Sequence, residues 1–188
     1  SQKTHDLLVL GMFEDSKPNF TASCSKNLSD SINEKIVLDS FAGKEGKMLS
    51  CYGDESIKRW VVVGFGDKKK FNTDKLRAIA ANVASYANKN NLKSVSLDSK
   101  SLGLSKKDNL QSLCEGMVLG SYEFLNYKSK VENENSFKTA FIIGNVDSEV
   151  VNKGFTIGES VSFARDLGNH PPNIQTPSEL ANSAVEIA

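Results

Sequence analysis

At 188 residues the chain holds one domain of ordinary size plus a tail. Its 39% hydrophobic and 24% charged content is that of a globular chain and excludes a disordered one. The 23 basic residues balance 23 acidic ones, which argues against a strong electrostatic footprint for nucleic acid, and no apolar run approaches a membrane span.

The N-terminus SQKTHDLLVLG lacks the shape of a signal peptide, and a first residue of Ser suggests a processed or engineered end. Asp6 to Met12 reads as a buried first strand. Phe13 to Lys26 is loop-like. Leu28, Ile32, Ile36 and Val37 recur at helical spacing, so a helix is expected from Ser29 to Ser40, capped by Ser29. Gly43 to Gly46 is a turn, and Lys47 to Tyr52 suits a strand. Lys58 to Gly66 is the clearest strand, and its unbroken Trp60–Val63 run suits a parallel sheet covered on both faces. A basic turn, Asp67 to Lys70, precedes a helix capped by Thr73 and reaching Asn90, with Leu76, Ile79, Ala80, Val83 and Ala87 inward. Ser94 to Asp98 is a short strand. A helix follows from Asp108 to Tyr127, with Leu110, Leu113, Met117, Leu119, Tyr122 and Phe124 partly inward. Lys128 to Ser136 is a charged linker, Phe137 to Gly144 a strand, and Asp147 or Ser148 opens the last long helix. Strands alternating with helices of this length indicate an α/β layer with a largely parallel sheet.

The stretch from Gly154 to Ala188 organises the rest. Ile157, Val161, Ala164 and Leu167 predict one apolar stripe, ended by Gly168, Asn169 and the Pro171-Pro172 pair. Thr176, Pro177 and Glu179 form the N-cap, first and third positions of a capping box. Leu180, Ala181, Ala184, Val185 and Ile187 then begin an apolar face that nothing after it can cover, as expected of a linker into a further domain.

Within it, ARDLGNHPPNIQTPSELA (Ala164 to Ala181) resembles the connector of the M17 leucyl aminopeptidases. Arg165, Asp166, Leu167, Asn169, Pro172, Asn173, Thr176, Pro177, Leu180 and Ala181 fall at the matching positions. The resemblance implies an N-terminal, macro-domain-like three-layer α/β domain over residues 1–150. Residues 151–188 would be the linker helix and the start of a C-terminal peptidase domain. It further implies a cytoplasmic enzyme that removes N-terminal amino acids, leucine preferentially, from peptides. Two divalent metals (zinc, manganese or magnesium) would sit in the C-terminal domain, and the whole protein would form a homo-hexamer. The ligand-bearing N-T-D-A-E-G-R-L motif of that family is absent here. No catalytic, cofactor-binding or metal-binding residue therefore carries over, and this chain alone is expected to be inactive.

The residues themselves offer little chemistry. A zinc site needs three or four converging ligands, and the only histidines are His5, at the flexible start, and His170, in the proline-rich break. Cys24, Cys51 and Cys114 lie far apart with no C-x-x-C pattern and read as buried, reduced thiols. There is no G-x-S-x-G elbow. Asn19-Phe20-Thr21 and Asn27-Leu28-Ser29 match the glycosylation tripeptide without a secretory signal. The rival function is a stand-alone nucleotide (ADP-ribose) module using the Gly64-Phe65-Gly66 turn and Lys68-Lys69-Lys70. Position 69 is Lys where a third glycine belongs, and a simple strand-ending turn explains the same residues. Arg165 is expected to pair with a carboxylate or a backbone carbonyl near the domain junction.

Overall fold

A computed structural model describes residues 5–14, 16, 20, 24–55, 57–129 and 137–187. Five strands, β1 (His5–Met12), β2 (Met48–Tyr52), β3 (Ile57–Gly64), β4 (Ser94–Asp98) and β5 (Thr139–Ile143), form one sheet in the order β2-β3-β1-β4-β5. β1 pairs in parallel with both β3 and β4, and β4 with β5; only β2 runs antiparallel, against β3. The helices are α1 (Lys26–Leu38), α2 (Thr73–Lys89), α3 (Lys107–Ser121), α4 (Ser148–Asn169) and α5 (Pro177–Ile187). The architecture is the expected mixed, mostly parallel α/β one.

Alternation along the strands divides the core into two. Leu7, Val9, Val61, Val63, Val95 and Leu97 pack with α2 and α3. Leu8, Leu10, Trp60 and Val62 point the other way and pack with Leu28, Ile32 and Ile36 of α1. The unbroken apolar runs of β1 and β3 thus reflect helices on both faces.

Several boundaries differ from expectation. α1 begins earlier, because Ser25 is the cap: its Oγ accepts the Leu28 N–H at 3.3 Å. Ser29 is instead fully buried inside the helix, and Val37 is 76% exposed. α1 ends where Ser40 takes a φ of +50° and the Phe41 N–H donates back to the Ile36 carbonyl. The cap of α2 is Asn72, whose Oδ1 accepts the Lys75 N–H, so Thr73 is the first helical residue. α3 stops at Ser121, since Tyr122 is extended (φ −65°, ψ 128°). Asp147 caps α4 through its side chain, and this helix runs unbroken across residue 150. Residues 130–136 of the charged linker and Asn19 and Thr21 of the first tripeptide lie outside the described residues; Asn27 is in the first turn of α1.

Glycines set the helix layer. A Cβ on Gly116 would meet the Arg77 carbonyl oxygen at 2.2 Å, and one on Gly120 the Ala81 carbonyl oxygen at 2.2 Å. α2 and α3 therefore touch backbone to backbone. On the other side of α3, Cβ atoms on Gly154 and Gly158 would fall 2.8 Å from Cys114 Cβ and 2.7 Å from Val118 Cβ. Gly154 and Gly158 are the buried residues of α4. The predicted stripe on that helix is corrected accordingly: Ile157 and Leu167 are half-buried, while Val161 and Ala164 are exposed. Arg77 of α2 adds to the α2–α3 seam by donating to buried Glu115 of α3 at 2.7 Å, and is oriented by Asp74 of its own helix at 2.6 Å.

Candidate functional site

The connector residues converge on one side chain. Tyr122 leaves the end of α3 and lies against the last turns of α4. The Arg165 guanidinium sits 4.0 Å from the centroid of its ring, a cation–π stack, and donates to the Leu119 carbonyl at 3.4 Å. The Tyr122 hydroxyl donates to Asp166 Oδ1 at 2.6 Å and accepts from Asn169 Nδ2 at 3.0 Å. Positions 165, 166 and 169 lie within about one helical turn, so one segment of helix grips the ring from its face and its tip. Burial and the bond to the Asp166 carboxylate push the Tyr122 phenol above its usual range.

The next residues extend the contact. Tyr127 Oη and His170 Nδ1 are 2.6 Å apart, and the Phe124 ring meets the His170 ring edge-on at 5.3 Å. The 122–127 segment, expected as the end of a helix, is thus an irregular strap that closes in a turn at Asn126 and Tyr127 and is tied to the α4 terminus. The expected partner of Arg165 is found in the Leu119 carbonyl. Tyr122, Phe124 and Tyr127 were not expected here, because no local spacing relates them to residues 165–170. After the break, α5 opens as expected: the Glu179 N–H donates to Thr176 Oγ1 at 3.3 Å. Its Leu180, Val185 and Ile187 are exposed.

This arrangement ties two segments of the chain together. Among the described residues no three His, Cys, Asp or Glu side chains group as metal ligands. His5 is not in a loose tail but in β1, its ring 5.0 Å from that of Phe141. Of the cysteines, expected as buried thiols, only Cys114 is buried; Cys24 and Cys51 are half-exposed, because they lie at the rim of the α1-side core. Burial, then the nearby Glu115, pushes the Cys114 thiol up to about 11.

The glycine turn is occupied by its own backbone. The N–H groups of Gly64, Phe65 and Gly66 donate to the carbonyls of Lys47, Met12 and Gly43 at 2.8, 2.8 and 2.9 Å. Phosphate-binding turns instead aim such groups outward. Phe65 is buried between the Phe13 and Phe71 rings, and Gly66 takes a φ of +70°. Lys68 and Lys69 share their open depression with the carboxylates of Glu14 and Asp67, and Asp67 caps the short 3-10 turn (Lys68–Lys70) through the Lys69 N–H. The turn ends a strand, and these three N–H groups are engaged within the chain.

A five-stranded, mostly parallel sheet with helices on both faces defines an α/β domain. Residues 9–131 match the family model described as the cytosol aminopeptidase family, N-terminal domain. The chain belongs to that family. It is 31% identical over 168 residues to a probable cytosol aminopeptidase of Aquifex aeolicus, covering 89% of this chain and 34% of that protein. A probable cytosol aminopeptidase of Sulfurihydrogenibium is 30% identical over 194 residues, covering 97% of this chain and 38% of that one. Among solved structures, the bottromycin maturation enzyme BotP superposes with a TM-score of 0.76 at 19% identity, over 98% of this chain and 37% of that one. A tomato leucine aminopeptidase mutant superposes with a TM-score of 0.74 at 22% identity, over 100% of this chain and 40% of that one. The chain thus spans a little over a third of the length of the relatives it matches.

Proposed function

We propose that this chain is the non-catalytic N-terminal domain of a leucyl aminopeptidase and that its connector sets the position of the peptidase domain. The observation that carries this reading is the convergence of Arg165, Asp166 and Asn169 on Tyr122. It fixes the end of α4 to the domain while α5 continues with its apolar residues in solvent. Exposed Leu180, Val185 and Ile187, with Phe163 on α4, supply the apolar surface against which a peptidase domain packs. In this reading residues 1–150 form the N-terminal domain and residues 151–188 the linker helix and the entry to the peptidase domain. The whole protein is a cytoplasmic homo-hexamer acting on peptides. No helix among the described residues is long and apolar enough to cross a membrane.

Two divalent metals would supply water activation and carbonyl polarisation in such an enzyme. The donor groups described on this chain do not fit them, being scattered rather than grouped, so no metal-dependent step is placed on these residues. The test is hydrolysis of leucine p-nitroanilide by the purified 188-residue chain with added manganese. No turnover above buffer is expected, and turnover that co-purifies with the chain would overturn the assignment of catalysis to a separate domain.

A further inference from the structure

Because α4 meets α3 through Gly154 and Gly158, it stands beside α3 and leaves a gap over the edge strand β5. The gap is a cavity of about 380 Å³, within the size range of small-molecule sites. Its floor is Leu113 and Met117 of α3 and Leu97 of β4, all buried. Ala140 and Ile142 of β5 form one wall, and Phe155 of α4, half in solvent, forms the other. Lys138 and Glu159, both exposed, bring opposite charges to a mostly apolar lining, whose remaining hydroxyl, that of Ser121, donates to the Val118 carbonyl.

We propose that this cleft binds a small zwitterion with a large apolar side chain, an apolar amino acid or dipeptide. The floor takes the apolar side chain, the Glu159 carboxylate accepts from the ligand ammonium, and the Lys138 ammonium donates to the ligand carboxylate. A fatty acid engages Lys138 alone and a neutral apolar ligand engages neither charge, both of which are exposed. The proposal rests on the cavity alone and stands whether or not the chain carries a peptidase domain.

The test is an amide-NMR titration of the ¹⁵N-labelled chain with L-leucine, L-phenylalanine and leucyl-leucine, against N-acetyl-leucine and N-acetyl-leucinamide. Saturating shifts are expected at Ala140, Ile142, Phe155 and Glu159. N-acetyl-leucine should bind about tenfold more weakly for loss of one charged hydrogen bond, and N-acetyl-leucinamide more weakly still. Glu159→Gln should weaken leucine and leave N-acetyl-leucine unchanged. Ala140→Phe places a ring in the cleft from an exposed position on the edge strand and should abolish the shifts. Absence of saturable shifts at millimolar ligand, shifts confined to another surface, or titrations unchanged in both variants would overturn the proposal.

Discussion

Tyr122 carries two separable contacts, and one atom distinguishes them. Tyr122→Phe keeps the ring beneath Arg165 but deletes the hydroxyl that joins Asp166 and Asn169. The expected outcome is a lower urea midpoint than that of the parent chain. Asp6 gives a pH dependence. Burial raises its carboxyl, but the Lys58 ammonium and the backbone N–H groups of Lys93 and Ser94 outweigh this and hold it below the usual carboxylate range. A depressed folded pKa means that the stabilisation is complete above the unfolded Asp value and is lost as pH falls through the folded one. Lys58 is 68% exposed, so most of the benefit lies in the backbone hydrogen bonds. Asp6→Asn should cost about 1–2 kcal/mol at neutral pH. It should also flatten the fall in stability below about pH 4, checked by unfolding curves across that range. At the thiols, Cys51 should react with iodoacetamide before Cys114, whose thiolate is scarce with a pKa of about 11; peptide mass mapping over time reads the order. Arg165, Asp166 and Asn169 were legible as a motif, but their partner was not. Nothing local in the sequence ties residue 122 to a turn more than forty positions later.

At the scale of elements, the sequence's strand and helix order was legible because periodicity and composition are local. The helix starts were less so. Asn72 and Thr73, or Ser25 and Ser29, are each acceptable caps by chemistry, and only the φ/ψ at the junction chooses between them. The end of α3 was obscured because apolar spacing continues through Tyr122 and Phe124 after the backbone has left the helix. The apolar stripe expected on α4 failed for a related reason: its contact with α3 is made by glycines, which apolar counting overlooks. The spacing G-x-x-x-G at 116–120 and again at 154–158 was the signal that marks such close approach. Gly116→Ala should lower stability by about 2–3 kcal/mol, although alanine favours a helix by about 1 kcal/mol. The added methyl has the Arg77 carbonyl in its way. Gly168→Ala, with open space around it, is the control and should be neutral or slightly stabilising; thermal melts of the two variants read the difference.

For the whole molecule, the composition and the strand–helix alternation were enough to indicate the α/β layer, and the connector motif was enough to indicate the family. The pairing order was beyond them. The placement of β1 at the centre is decided by contacts with β3 and β4, which no window of sequence contains. That placement governs how the chain matures. β1 leaves a ribosome before either of its partners, and Val95 to Leu97, which pair with its Leu7 to Val9, are made almost ninety residues later. At bacterial-to-eukaryotic synthesis rates this leaves one edge of an apolar strand open for on the order of five to twenty seconds. β3 closes the other edge first. During biosynthesis the Asp6–Met12 run is therefore the segment most in need of protection by a chaperone, and the half-built sheet is the species most prone to aggregate.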